Sequence, residues 1–134
     1  MDQSRNRLVG LYEPLDALLR SSGELHAQLK EGKPGGLKWR TVDHMPEVLA
    51  STRDKEIVRQ IIEIGDRIEA LLADKAELAA TPADAACFAR YRRHLSLMKG
   101  QFEGSGATAG PGDSFPRELP DLVAASIASL RASV

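Results

Sequence analysis

Apolar side chains recur at helical spacing in three stretches of this chain. The first reads Leu8, Leu11, Leu15, Leu18, Leu25 and Leu29, interrupted by Ser22. The second reads Ile57, Ile61, Ile64, Ile68, Leu71 and Leu78, interrupted by Lys75. The third reads Phe88, Tyr91, Leu95, Met98 and Phe102. Steps of three and four residues put side chains on one stripe of an α-helix, which repeats every ~3.6 residues. Each stripe has to be covered, and three of them cover one another most simply as antiparallel helices. The expected fold is all-α: an antiparallel bundle of three to four helices forming a single domain over 1–134. Leu15, Leu18, Ile61, Ile64, Ile68, Tyr91 and Leu95 are its expected core.

Turn and cap residues set the boundaries. The first helix is expected from about Ser4 to Lys30, and Pro14 predicts either a kink or a late start near Glu13, because proline lacks the amide proton and clashes one turn back. Gly32, Pro34, Gly35 and Gly36 end it. Residues 33–51 read as a long irregular crossover over the bundle, pinned by Trp39. Within it 37–42 alternates briefly and suits an extended strand-like run, and Met45 to Leu49 suit one short helical turn. A second helix is expected from Ser51 or Thr52 to about Ala80, with Gly65 allowing close approach of another element. Thr81, Pro82 and Asp84 form a strong helix start: a threonine cap, proline in the first turn and an acid near the positive end of the dipole. The third helix should end between Gly100 and Phe102. Residues 103–116, rich in glycine, read as a flexible loop. A last helix, from Arg117 or Pro120 to about Ala132, places Leu119, Leu122, Val123, Ile127 and Leu130 on one face. Too short to be stable alone, it is expected to dock on the bundle.

Composition adds mainly exclusions. The net charge of −1 gives no global attraction to nucleic acid or anionic lipid, and 4% aromatics argue against a stacking surface for single strands. No apolar run is long enough to cross a membrane, and the N-terminus opens without an apolar leader, so a protein without secretion signal or membrane span is expected. The single cysteine, Cys87, precludes an internal disulfide and suits a reducing, cytoplasmic setting.

Candidate chemistry is sparse. No phosphate loop, zinc-ligand spacing or nucleophile elbow is present, and neither a cofactor nor a metal is expected. Arg90, Arg92, Arg93, His94 and Lys99 give the third helix a local positive charge, to which Lys33, Lys38 and Arg40 of the crossover add. Such a face suits phosphates or an acidic partner; basic residues on a solvated face are the plainer reading. Arg90 and His94, four apart, are loosely similar to the arginine–histidine pair of helical ribonucleases of the HEPN class, whose motif has more intervening residues than Tyr91, Arg92 and Arg93. That resemblance would imply an arginine stabilising a phosphorane and a histidine moving a proton. Glu63, Asp66 and Glu69 evoke the carboxylate metal sites of helical enzymes, but Ile61, Ile64, Ile68 and Leu71 hold the inward stripe, so the acids are expected outside.

The function expected is a non-enzymatic protein-interaction module, an adaptor, chaperone-like or regulatory subunit, binding another protein or itself. Its candidate contact residues are Trp39, Arg40, Arg90, Arg93, His94, Leu122 and Ile127. A nucleic-acid-binding or cleaving module using the basic face is the second expectation, and a small helical enzyme with acids on the second helix the third.

Overall fold

The computed structural model describes residues 3–110 and 113–134, apart from the side chain of Leu37. Helix α1 runs over 3–30 and is continuous past Pro14. The helix starts at Gln3, so no late start near Glu13 disposes of the proline. Instead the backbone widens into a π turn at Leu8–Tyr12, and the Glu13 amide donates to the Leu8 carbonyl. One extra residue in the turn just before a proline absorbs the missing donor without ending the helix. The remaining helices are α2 (Met45–Ala50), α3 (Thr52–Asp74), α4 (Pro82–Phe102) and α5 (Leu119–Ser133).

Side-chain pairings fix the directions. The Arg53 guanidinium at the start of α3 reaches the Gln28 carbonyl at the end of α1, at 2.7 Å. Lys99 pairs with Asp66 and Arg92 with Glu69, so α4 runs back along α3. Ser126 reaches Asp84 while Arg90 reaches Glu118, so α5 runs back along α4. Glu13 meets Arg131, and His26 meets Phe115, which closes α5 onto α1. The result is an up-down-up-down four-helix bundle with every neighbouring pair antiparallel. One end is closed by the short 75–81 connection. The other carries the 31–51 crossover, with α2 in it, and the 103–118 strap.

The stripes are wider than the leucine and isoleucine spacing suggests, because each helix touches two neighbours. On α1 the buried residues are Leu8, Leu11, Tyr12, Leu15, Leu19, Ser22 and Leu29, so Leu19 takes the place foreseen for Leu18, which packs at the margin. On α3, Val58, Gly65 and Leu72 share the seam with Ile57, Ile61 and Ile68; Ile64 is only half-buried. Helix α3 stops at Asp74 rather than near Ala80, and Leu78 lies in a separate 3₁₀ turn, its Cδ1 packed against Gly10 of the π turn. The stretch 37–42 is not a strand-like run: 3₁₀ turns at Gly36–Lys38 and Thr41–Asp43 flank Trp39 and Arg40. Gly35 (φ +80°) and Gly36 (φ +56°) take left-handed conformations in succession, which a β-carbon would strain.

Helix α5 docks in cis. Leu119 and Val123 are fully buried, and Ile127 and Leu130 nearly so, against α1 and α4. The strap is held as well: Gln101 Nε2 donates to the Val42 and Ala107 carbonyls, and Pro116 is buried. Pro111 and Gly112, within the loop expected to be flexible, lie outside the described residues. Among the described residues the exposed large apolar side chains are Val9 and Val134, and no helix is long and apolar enough to cross a membrane.

A β-carbon on Gly65 would stand 2.6 Å from Leu95 Cδ1 and 3.2 Å from the Tyr91 hydroxyl. Overpacking costs ~1–3 kcal/mol, against a helix-propensity gain of up to ~1 kcal/mol. Gly65→Ala is therefore expected to lower the melting temperature; an unchanged or raised value in a thermal melt would show that α3 and α4 can separate freely. Tyr12→Phe removes the hydroxyl that accepts from the Ala80 amide at 2.9 Å and donates to buried Asp84. Two buried groups lose a partner, and a loss of ~1–3 kcal/mol in chemical denaturation is expected.

Candidate functional site

The residues singled out on the third helix do not form one surface. Helix α4 turns Tyr91, His94, Leu95 and Met98 inward, so His94 is only 5% exposed while Arg90 and Arg93 face out. Arg90 pairs with Glu118, Arg92 holds Glu69 through two nitrogens at 2.7 and 2.9 Å, and Lys99 holds Asp66 at 2.6 Å. The basic stripe is thus largely neutralised, and Arg90 and His94 point in different directions. The acids of α3 sit outside as expected, Glu63 against Arg59 and the other two against α4. Among the described residues no cluster of histidine, cysteine and carboxylates has the geometry of a metal site.

Trp39 is the plug of the crossover. It is buried, stacked on His44 with ring centroids 4.8 Å apart, and the Lys33 ammonium lies 5.4 Å over its ring. Lys33 also holds Asp54 at 2.6 Å, and the Asp54 amide is capped by Ser51. This knot fastens the crossover to the first turn of α3. Leu122 is half-buried and Ile127 buried on the docked face of α5.

The crossover in turn carries Arg40 and Thr41 to the open end of the bundle. There they meet His26 and Lys30 from the last turns of α1, His94 from α4, and Ser114, Phe115 and Arg117 from the strap, around a pocket of about 170 Å³. Phe115 packs edge-on to Tyr91 and His94 and tilted on His26, which sets the imidazoles at the wall. His94 Nδ1 lies 2.9 Å from the Asp113 carbonyl oxygen. Arg40 Nη2 donates to the Gly110 carbonyl at 3.2 Å, and its Nε lies 3.3 Å from the Asp43 carboxylate. Among the described residues His94 Nε2 and Thr41 Oγ1 are buried with no protein hydrogen-bond partner.

No carboxylate lines this pocket, and the cations act on one another. Burial, then Lys30 and His94, hold the His26 pKa down at about 4. Burial lowers that of His94 too, and Arg40 and Lys30 add to the shift; the Asp113 carbonyl and the Asp113 charge oppose it. Lys30 is lowered by burial and by Arg117. A second, larger hollow of about 460 Å³ lies across Val42 and is lined by Met45, Pro46, Leu49 and strap residues from Gly104 to Ala109. It is mostly apolar, and the Gln101 amide nitrogen at its edge already bonds two carbonyls.

No family model, curated protein or solved structure matches the chain. The site therefore has to be read from its own geometry. Of the residues expected to make contacts, Arg40 and His94 meet here. His26, Lys30, Thr41 and Arg117 were not foreseen, since they come from three segments distant in sequence. The one available signal was that His26 and His94 stand directly beside the apolar stripes, next to Leu25 and Leu95.

The two histidines also dictate a pH response. An imidazole in the unfolded chain titrates near 6.5, whereas His26 in the fold titrates at about 4 and His94 is shifted the same way. Between those values the unfolded chain binds more protons, so stability falls as pH drops through that window. Melting temperature is expected to decline from pH 7 to pH 4, and His26→Leu to flatten the decline. A profile level over that range would contradict the burial of neutral imidazoles.

Proposed function

We propose that this chain is a non-enzymatic interaction module that recognises an anionic group on its partner through the pocket at the open end of the bundle. The observation that carries the reading is the convergence of Lys30, Arg40, Arg117, His26 and His94 on one half-enclosed pocket that no carboxylate lines. Arg40 shares its charge with Asp43, and away from the pocket Arg20, Arg59, Arg90, Arg92, Lys99 and Arg131 each have a carboxylate. A local excess of positive charge in a chain of net charge −1 costs folding free energy and is offset when an anion arrives.

Binding rather than catalysis is favoured by the hydroxyls and the thiol. Nucleophilic catalysis needs a nucleophile within hydrogen-bond reach of a base. Thr41 Oγ1 has no partner, and Cys87 lies buried with its thiol pKa raised by burial. The apolar seams that suggested self-association are covered within one chain, so the reading rests on the pocket and not on an exposed greasy face. A cytoplasmic setting belongs to the same proposal, since it keeps Cys87 reduced.

Thermal stability is the direct test. Millimolar small anions should raise the melting temperature in a concentration-dependent way, with chloride as the ionic-strength control. Arg117→Ala, at an exposed position on the rim, should abolish most of that gain while leaving the anion-free melt nearly unchanged. Equal gains in wild type and variant would point to general salt effects and remove the proposal.

A further inference from the structure

Two imidazoles share one apolar wedge. Phe115 of the strap packs on His26 of α1 and on His94 of α4, with ring centroids 5.8 and 5.9 Å apart, and edge-on to Tyr91 at 5.8 Å. His94 is buried and His26 half-buried. Covered in this way, a ring is held neutral, because the charged form would lose water without gaining a counter-ion. The charged and titratable groups around the pair are Lys30 from α1, Arg40 from the crossover, Tyr91 from α4, and Asp113 and Arg117 from the strap. The Asp113 carboxylate accepts the Gly110 amide at 2.7 Å, and it is the Asp113 carbonyl that stands at bonding distance from His94 Nδ1. A proton added to either ring therefore joins a cluster that is mainly positive.

The wedge sits on a weakly fastened segment. Beyond Gly104, the backbone–backbone bonds of the described strap residues run from Ser105 to Gly100, from Asp113 to Gly110 and from Leu119 to Pro116. The ties to the rest of the molecule are single contacts: Gln101 to the Ala107 carbonyl, Arg40 to the Gly110 carbonyl and His94 to the Asp113 carbonyl. Where the chain leaves α4, Gly104 (φ +94°) and Gly106 (φ +71°) offer dihedral freedom that other residues lack. Such a segment opens at lower cost than the helices it lies on.

We propose that the strap is an acid-sensitive latch, in which protonation of His26 and His94 releases Phe115 and the chain around it while α1, α3 and α4 stay packed. The protons come from solvent, and no covalent bond changes. In the open strap an imidazole titrates near ~6.5, whereas in the closed one His26 titrates at about 4 and His94 is shifted the same way. The open form binds protons better, so its share rises as pH falls through that window. For His26 alone the open-to-closed ratio grows about twentyfold from pH 7 to pH 5. Opening also takes away one wall of each hollow at this end, since the strap lends Ser114, Phe115 and Arg117 to the smaller and the stretch from Gly104 to Ala109 to the larger. The latch follows from the strap's own contacts and stands apart from what either hollow binds.

The test is amide hydrogen exchange of the full chain at pH 7 and pH 5, with each rate divided by the intrinsic rate at that pH. At pH 7 protection over 113–119 should lie about a hundredfold or more below that of Ile61 and Ile68 in α3. It should fall about twentyfold or more by pH 5, with the far-UV helical signal kept. His26→Leu should reduce that fall severalfold. Phe115→Ala, a change on the strap that leaves the helices untouched, should lower protection over 113–119 already at pH 7 and weaken its pH dependence. Equal protection at the two pH values would overturn the proposal. So would strap protection equal to that of α3, which would mean that the strap opens only when the whole bundle unfolds. A Phe115→Ala chain with wild-type protection and wild-type pH dependence would also overturn it.

Discussion

The buried carboxylate of Asp84 holds the closed end of this bundle together. It is 4% exposed, and a charge so placed is tolerated only when its oxygens are satisfied. Tyr12 of α1 and Ser126 of α5 both donate to Oδ2, while the Thr81 hydroxyl donates to Oδ1 at 3.0 Å. The Asp84 amide is capped in return by Thr81, and the Tyr12 hydroxyl accepts the Ala80 amide. One carboxylate therefore joins α1, α4, α5 and the turn leaving α3. The Tyr12 phenol, inside this network, is held well above its ordinary pKa by burial and by Asp84. Such a network fixes register where apolar packing alone would tolerate sliding. It also explains the π turn: Leu8–Tyr12 places Tyr12 beside Leu11 and Leu15 on the inner face and delivers its hydroxyl to the start of α4.

With one end locked, conformational and chemical variety falls to the other. A connection as short as 75–81 leaves room for little beyond a turn, whereas 31–51 and 103–118 are long enough to fold over the bundle and bring side chains back to it. Both are anchored by polar contacts to the helices. Lys33, Trp39 and Asp54 tether the crossover; Gln101 and His94 tether the strap. The same contacts that hold these segments also aim Arg40, Thr41 and Arg117 at a common point. Scaffold and pocket are one construction, so loosening the strap at Phe115 would cost both packing and site geometry.

The helices were legible from apolar spacing because their burial is a periodic property of local sequence. The tight turn at Thr81 was legible for the same local reason, as cap chemistry involves neighbours only. What escaped was what depends on distant partners. Leu19 and Leu18 are equivalent by composition, and the choice between them follows from how the neighbouring helices are placed around α1, which no local pattern encodes. Tyr12 belongs to no leucine seam, and its role appears only once Asp84 and Ser126 are beside it. The crossover alternates like a strand, but without a partner strand its amides pair locally, giving 3₁₀ turns. The cationic pocket was the least legible feature, assembled from α1, the crossover, α4 and the strap. Arg90 and His94 looked like neighbours because four residues make nearly one helical turn. Their partners, Glu118 and the Asp113 carbonyl, separate them.

The two ends solve the same problem in opposite ways. At the closed end a buried negative charge is matched by three donors, so the group adds rigidity and has nothing left to offer a ligand. Among the described residues, the buried side-chain atoms without a hydrogen-bond partner are His94 Nε2, Thr41 Oγ1, Arg40 Nε and Gln101 Oε1 at the open end and Arg7 Nε at the closed end, and cations at the open end stand close enough to depress one another's proton affinity. Unpaired buried groups cost ~1–3 kcal/mol each, a large share of the stability of a domain this size. The stable end can carry that cost because its network and the apolar seams of α1 and α3 do not run through the pocket. Four of these five atoms lie at the open end, so most of the unsatisfied polarity gathers around the crossover and the strap, away from the Asp84 network.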